Sequence, residues 1–102
     1  MIIALPNRRG ILQELDETDI FALYHIENNQ VIHKELVQPD KTGEDLIEYL
    51  YRAQVNHLIL PTLNDDIKFE LDFYKMGYVT GVRGETDEII ERFLEGAFQD
   101  DD

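Results

Sequence analysis

Residues 57–82 read HLILPTLNDDIKFELDFYKMGYVTGV, and they decide the fold because they predict a strand, a helix and a second strand in succession. The apolar run 57–60 ends at Pro61, which is typical of a short strand buried on both faces. Residues 78–82 predict the next strand of the sheet. Strands that alternate with helices in this way indicate an α/β protein.

The segment between these strands is ambiguous, because residues 67–73 alternate strictly between apolar and charged side chains. Alternation of this kind favours a strand by periodicity alone. Asn64 or Asp65 can nevertheless cap a helix that runs to Lys75, and Gly77 can end it in the left-handed conformation. Since both boundary signals are in place, we predict a helix.

On a helix, the apolar residues of this segment form two opposed stripes, of which only one can pack on the sheet. The other stripe would present aromatic surface that monomeric proteins rarely expose. It predicts an interface, either in a homodimer or with another protein. Alternatively, a C-terminal segment that includes Phe98 folds over it. The sheet-facing stripe comprises Ile67, Leu71 and Tyr74, and the interface stripe comprises Phe69, Phe73 and Met76.

The N-terminal part of the chain predicts three strands. Residues 2–5 are wholly apolar and predict a buried strand, and residues 7–10 predict a loop. Residues 20–26 and 31–37 are rich in β-branched and aromatic side chains, and Asn28-Asn29 between them favours a two-residue hairpin turn.

Two further helices have recognisable boundaries. Thr42 and residues 43–45 resemble a capping box, in which the threonine side chain accepts a hydrogen bond from a free backbone N–H. Thr86 is expected to cap a final helix that ends at Gly96. The element order is therefore β-β-β-α-β-α-β-α, which implies a mixed sheet with helices on both faces.

Composition limits the number of domains and the classes of partner. The 102 residues include 22 acidic and 9 basic side chains, which gives a net charge of −13. One domain at residues 1–98 is expected, with an acidic tail at 99–102. Such a charge repels nucleic acids and anionic membranes, and no apolar run approaches the ~20 residues of a membrane span. Without cysteine or a recognisable secretion signal, we expect a cytoplasmic protein.

Four short stretches carry a family resemblance by their order and spacing: IIALP at 2–6, FALYHIEN at 21–28, VRGET at 82–86 and FLEG at 93–96. Together they resemble the dinitrogenase iron–molybdenum cofactor biosynthesis family. The resemblance implies a small ribonuclease H-like sandwich of three layers, with five strands in the order 3-2-1-4-5 and strand 2 antiparallel. It also implies a non-catalytic protein that binds or carries an iron–sulfur or iron–molybdenum cluster precursor.

The chain departs from the family pattern at three points. The His-Phe-Gly sequence before the family's second strand, whose histidine is a candidate cluster contact, falls on Glu14-Leu15-Asp16. The family's Gly-Gly after the fourth strand is Pro61-Thr62, and no cysteine is present to hold an iron–sulfur cluster. The alternative interpretation is a divergent member without cluster binding, which acts as a small-anion-binding or protein-interaction module.

The carboxyl ends of the first, fourth and fifth predicted strands form the expected ligand edge, because ligands of open α/β sheets bind there. Arginine follows two of these strands, and helix N-termini near Asn64 and Thr86 add backbone N–H donors. We predict an anion site at this edge. Alternatively, the arginines are solvated or paired with nearby carboxylates. The predicted ligand-binding residues are Asn7, Arg8, Arg9, Thr62, Asn64, Arg83 and Gly84.

His25 and His33 are the candidate metal ligands of the predicted hairpin. A three-residue loop would place them opposite each other, whereas the two-residue loop Asn28-Asn29 places His25 opposite Ile32 and the histidines on opposite faces. We favour the two-residue loop and therefore predict no metal site. His57 is expected to be a hydrogen-bonded structural residue.

No catalytic motif is found in the sequence. The chain lacks serine and cysteine, which excludes the nucleophiles of Ser–His and Cys–His sites, and it has no glycine-rich phosphate loop. Glu14, Asp16, Glu17 and Asp19 lack the spacing and the glycine of a calcium loop and are expected to be solvated. Residues 2–5 carry no carboxylate for a nuclease metal. We therefore predict that the protein is not an enzyme.

Overall fold

Residues 1–96 are described by the computed structural model, and the predictions for Phe98 and for an acidic tail at 99–102 lie outside the described residues. The described part of the chain forms six strands and three helices. In chain order they are β1 (Ile2–Arg8), β2 (Ile11–Leu12), β3 (Phe21–Glu27), β4 (Gln30–Val37), α1 (Gly43–Arg52), β5 (His57–Ile59), α2 (Asp65–Phe73), β6 (Gly77–Val79) and α3 (Thr86–Leu94).

The strands form one mixed sheet in the order β4-β3-β1-β5-β6, and β2 pairs with β1 beside this path. β1 runs parallel to β5, and β5 runs parallel to β6. β3 is antiparallel to both of its neighbours, β1 and β4. The prediction of a mixed α/β sheet is confirmed. Its description as five strands in the order 3-2-1-4-5 is wrong, because the additional strand β2 makes six strands and the observed order is 4-3-1-5-6.

The additional strand, β2, begins just beyond residues 7–10, where the sequence predicts only a loop. β1 continues past Pro6 to Arg8, and a tight turn of Arg9 (φ 55°) and Gly10 (φ 80°) leads directly into β2. β2 is only two residues long. So short a strand shows no periodicity, and the sequence therefore carries no signal for it.

Helices cover both faces of the sheet, so the described residues form three layers. Ile3 and Leu5 of β1 pack in one buried cluster with α3, whereas Ala4 packs in a second cluster with α1 and α2. This alternation marks the two faces of the central strand. Within residues 1–96, no helix is long and apolar enough to cross a membrane.

The ambiguous segment 67–73 is helical, as predicted, and belongs to α2. The Asn64 side chain caps this helix by accepting a hydrogen bond of 2.8 Å from a backbone N–H three residues further on. The helix ends at Phe73, earlier than expected, and Lys75 takes the left-handed conformation with φ 58°. The prediction that Gly77 ends the helix is wrong, because Gly77 is the first residue of β6.

The two stripes of α2 have different environments. Leu71 is fully buried against the sheet, whereas Phe69 and Phe73 are 67% and 68% exposed. Met76 is only 4% exposed, so it is not part of the predicted interface stripe. It follows the end of the helix, where its backbone N–H donates to the Leu71 carbonyl at 2.9 Å and its side chain joins the core.

Two predicted caps are not made by the threonine side chains. Thr42 occupies the N-cap position of α1 but forms no side-chain hydrogen bond there. Thr86 is the first residue of α3, and Glu85 is its N-cap. Thr86 is buried and its backbone N–H donates to the Gly10 carbonyl at 2.9 Å, so a tertiary contact replaces the local cap. Gly96, with φ 84°, follows α3 as predicted.

The β3–β4 hairpin has the predicted two-residue turn, with Asn28 at φ 54° and Asn29 at φ 63°. A β-bulge nevertheless shifts the register beyond this turn, because Ile32 is an extra residue on β4. His25 therefore lies opposite His33. The prediction that His25 faces Ile32, with the histidines on opposite faces of the sheet, is wrong.

Candidate functional site

The carboxyl ends of three parallel strands lie side by side at one edge of the sheet. β1, β5 and β6 are neighbours and run in the same direction. Arg8 ends β1, residues 60–64 follow β5, and residues 82–84 come after β6. We call this the carboxyl edge, and it is the edge at which open α/β sheets bind ligands.

Backbone hydrogen bonds hold the β1–β2 turn against the segment that precedes α3. The N–H of Leu12 donates to the Gly84 carbonyl at 2.9 Å. The N–H of Thr86 donates to the Gly10 carbonyl, also at 2.9 Å. The turn that carries Arg9, and the end of β1 that carries Arg8, are therefore fixed beside the segment that carries Arg83.

Four arginines lie on these adjoining segments. Arg8, Arg9 and Arg83 are exposed, and none of the ion pairs among residues 1–96 includes them. Arg92 of α3 brings its Nη2 atom to 4.0 Å from the position that a Cβ atom would take on Gly84. We call Arg8, Arg9, Arg83 and Arg92 the arginine edge. Arg92 was missed in the sequence because it lies in the last turn of a helix, and no spacing rule connects it with the strand ends.

Asn7 and Gly84 shape the arginine edge from within the fold. Asn7 is buried, its Oδ1 atom accepts a hydrogen bond from the Thr86 hydroxyl at 3.4 Å, and its N–H donates to Ile20 at 2.9 Å. Gly84 has φ 122°, a conformation that residues with a Cβ atom rarely adopt. These two predicted ligand-binding residues therefore have structural roles in the described chain.

Thr62 and Asn64 lie on another part of the carboxyl edge, in a groove of about 760 Å³. The Thr62 hydroxyl donates to Oε1 of Glu14 at 2.6 Å, and Asn64 is engaged as the cap of α2. The residues that line the groove do not include Arg8, Arg9 or Arg83. The structure therefore divides the predicted ligand-binding set between the arginine edge and this groove.

The groove is acidic. Glu14, Asp16, Glu17 and Asp19, which the sequence predicts as solvated, line it, and Lys41 is the one basic side chain among its described lining residues. A wall of like charge repels anions. The arginine edge, and not the groove, therefore has the chemistry for an anionic ligand.

A polar cluster anchors the start of α3 beside the arginine edge. Oδ1 of Asp87 accepts hydrogen bonds from the Tyr24 hydroxyl at 2.6 Å and from Nζ of Lys34 at 2.9 Å. These bonds, first from Tyr24 and then from Lys34, lower the pKa of Asp87. Burial and the Asp87 carboxylate raise the pKa of Tyr24. Asp87 is therefore ionised at neutral pH, and its charge complements the N-terminus of α3.

The fold defines a class, the small α/β proteins in which helices cover both faces of a mixed sheet. No protein-family model and no curated protein matches the sequence. Among solved structures, the chain is similar to PH0822, at 20% identity and a TM-score of 0.87 over 94% of this chain and 92% of the other.

Two further solved structures have the same fold. One is TM1290 from Thermotoga, a DUF35-family protein with a provisional NifB assignment, at 19% identity and a TM-score of 0.73 over 93% of this chain and 88% of the other. The second is the apo orange protein from Desulfovibrio gigas, at 15% identity and a TM-score of 0.77, with coverages of 93% and 88%. Likeness at these identities shows the fold alone.

Proposed function

We propose that this protein is a non-catalytic carrier of the dinitrogenase iron–molybdenum cofactor biosynthesis type, with a ribonuclease H-like fold. It holds an anionic iron–sulfur or iron–molybdenum precursor at the arginine edge. The observation that carries the proposal is the grouping of Arg8, Arg9, Arg83 and Arg92, four of nine basic residues, on adjoining segments of the carboxyl edge. The provisional NifB assignment of the structural neighbour TM1290 also supports a role in cofactor biosynthesis.

The cargo is held by charge and hydrogen bonds, because the chain contains no cysteine to supply the usual thiolate ligands. Guanidinium groups remain charged at all physiological pH values and donate paired hydrogen bonds to anions. The lack of serine and cysteine nucleophiles favours a binding role over an enzymatic one.

Anaerobic reconstitution with iron, sulfide and a small thiol, which supplies the terminal iron ligands that a chain without cysteine lacks, is expected to give the visible absorbance of a bound cluster after gel filtration. The double variant Arg8→Ala, Arg9→Ala is expected to bind the cluster about tenfold more weakly or worse, because a hydrogen bond to a charged group contributes about 1.5–3 kcal/mol. The matched control is Arg52→Ala with Lys68→Ala, which removes two exposed charges from α1 and α2. This control is expected to keep the absorbance.

Phosphate and citrate separate the carrier proposal from its simpler alternative, a small-anion-binding protein. A colourless protein whose melting temperature rises with either anion would support the alternative, provided that the arginine double variant loses the rise. If the parent protein shows neither the absorbance nor the rise in melting temperature, both interpretations of the arginine edge are wrong.

A second candidate function, protein interaction, is favoured by an aromatic surface on the outside of α1 and α2. Phe69 and Phe73 are 67% and 68% exposed, and Tyr51 is 49% exposed. The Tyr74 ring lies 4.7 Å from that of Tyr51 and 5.0 Å from that of Phe73. We call these four residues the aromatic surface. Large exposed apolar patches usually mark binding sites.

Acidic side chains surround the aromatic surface and indicate the charge of its partner. Glu44, Asp45, Glu48 and Glu70 border the same depression as Phe69 and Phe73. Two copies of this chain would bring like charges together, as would any acidic partner. A partner with apolar anchors and a basic rim therefore fits this surface better than the homodimer that the sequence also allows.

A model amphipathic helix of leucine and lysine is expected to bind the aromatic surface. Phe73→Ser is expected to weaken this binding at least about tenfold, since burying an aromatic side chain contributes about 1.5–3 kcal/mol. Leu36→Ser is the control, because Leu36 is 59% exposed on β4. Light scattering is measured in parallel. A dimer that Phe73→Ser dissociates would assign the surface to a second copy. A 12.0 kDa monomer that does not bind the peptide would refute this function.

A further inference from the structure

Two histidines and a glutamate converge on one face of the β3–β4 hairpin. The bulge at Ile32 sets His25 of β3 opposite His33 of β4, and Glu35 lies two residues further along β4 on the same face. The two imidazole ring centroids are 5.1 Å apart. On its other side His25 lies opposite Ile2, at the beginning of β1. The cluster is therefore at the end of the sheet remote from the arginine edge.

The donor atoms of this cluster have the separations of metal ligands. Nε2 of His25 lies 3.5 Å, and Nε2 of His33 lies 3.3 Å, from the same oxygen, Oε2 of Glu35. All three donor atoms lie within 4.8 Å of one another. In a tetrahedral zinc site, bonds of about 2.0–2.1 Å separate two ligand atoms by about 3.3–3.4 Å. Two of the three separations therefore already match a shared metal ion.

The imidazole of His25 has an unsatisfied atom that a metal ion would satisfy. Its Nε2 atom is buried and has no hydrogen-bond partner among residues 1–96. The 3.5 Å contact with Glu35 is too long for a good hydrogen bond, and buried polar atoms normally have a partner. The His33 side chain is 59% exposed, so an ion can reach the cluster from solvent.

We propose that His25, His33 and Glu35 bind a divalent transition-metal ion of the Zn²⁺ class. Imidazole donors favour zinc, copper, nickel and iron, whereas Ca²⁺ and Mg²⁺ prefer oxygen ligands. Three protein ligands leave a fourth position of the tetrahedron for water or an added anion. The bound ion connects the edge strand β4 to β3. The site shares no residue with the arginine edge and does not depend on the proposed carrier function.

Calorimetric titration of the full chain with Zn²⁺ in excess Mg²⁺ is expected to show one strong site per chain. His33→Ala and Glu35→Gln are each expected to weaken binding by about 100-fold or more. Substituting residues that only hydrogen-bond to metal ligands already lowers metal affinity by about 10–100-fold. The matched control is Glu27→Gln, which removes an exposed carboxylate from the end of β3 and is expected to keep the affinity. Zn²⁺ at 100 times its Kd is expected to raise the melting temperature by about 10 °C.

Co²⁺ provides an independent measurement of the same site. A four-coordinate site with two imidazoles is expected to give strong visible absorbance, whereas Co²⁺ scattered over surface carboxylates is six-coordinate and nearly colourless. Circular dichroism of the metal-free variants checks that they fold. Zn²⁺ binding that survives in His25→Ala with His33→Ala, or that excess Mg²⁺ abolishes in the parent protein, would overturn the proposal. The loss of cluster reconstitution at the arginine edge would leave it unaffected.

Discussion

Replacing Gly77 with alanine is expected to lower the free energy of unfolding by about 2–3 kcal/mol, because it over-packs a tight site. Gly77 of β6 lies opposite His57 of β5. A Cβ atom at position 77 would lie 2.4 Å from Cδ2 and 2.5 Å from Nε2 of the imidazole. Both distances are much shorter than a van der Waals contact. Urea unfolding followed by circular dichroism measures the loss.

The imidazole of His57 has little room to move away from the new methyl group. The Phe93 ring packs edge-on against it, with the ring centroids 5.9 Å apart. Burial lowers the pKa of His57, and its Nδ1 atom has no hydrogen-bond partner within residues 1–96. His57 is therefore a neutral packing residue at pH 7, and the hydrogen bond expected from the sequence is not found at Nδ1.

Removal of the ring provides the control for this prediction. His57→Ala in the Gly77→Ala background is expected to recover most of the lost stability, because the clash disappears with the imidazole. The coupling between the two substitutions should fall within the range of about 0.5–3 kcal/mol that is typical of residues in contact. If the two losses simply add, the effect of alanine at position 77 does not come from the ring.

Leu71→Ala is expected to lower the free energy of unfolding by about 2–5 kcal/mol, as other large-to-small core substitutions do. Phe73→Ala, on the same helix, is expected to change it by less than about 0.5 kcal/mol, as is usual for surface positions. Leu71 is fully buried between α2 and the sheet, whereas Phe73 is 68% exposed. Both changes shorten an apolar side chain of α2, so the comparison isolates the effect of burial. Urea unfolding measures both variants.

Equal losses from the two substitutions would contradict the structure of α2. They would mean that Phe73 is covered in the folded protein, and the aromatic surface would then be unable to bind a partner. A large loss for Phe73→Ala that depends on protein concentration would instead indicate that a second copy covers it, because the stability of an obligate dimer depends on the concentration of its subunits.

Much of the fold was predictable because its signals are local. The cap at Asn64 resolved the ambiguity of residues 67–73 in favour of a helix, although their alternation favours a strand. The pair Asn28-Asn29 predicted the two-residue turn of the hairpin correctly. Arg8 was predicted in a loop after the first strand, and it is the last residue of β1. Its place at the shared edge was predictable because parallel strands have their carboxyl ends at the same edge of a sheet. The helix and the turn need only residues a few positions apart, and the shared edge needs only a general rule of topology.

Other features depended on contacts between distant segments. Gly77 looks like a helix terminator in the sequence, but it is a glycine because the His57 ring lies against it. Arg92 joins the arginine edge only because α3 begins beside the β1–β2 turn. Met76 lies in the stripe of Phe69 and Phe73 by helical spacing, yet the chain leaves the helix before it and turns it into the core.

The residues alone established the mixed α/β architecture, the acidic surface and the scarcity of positive charge, since periodicity, capping and composition are read along the chain. The three-dimensional packing decided which faces and which arginines come together. One extra residue in β4, Ile32, brings His25 opposite His33. A shift of one residue moves every following side chain of a strand to the other face, and no local pattern reports where such a bulge is inserted.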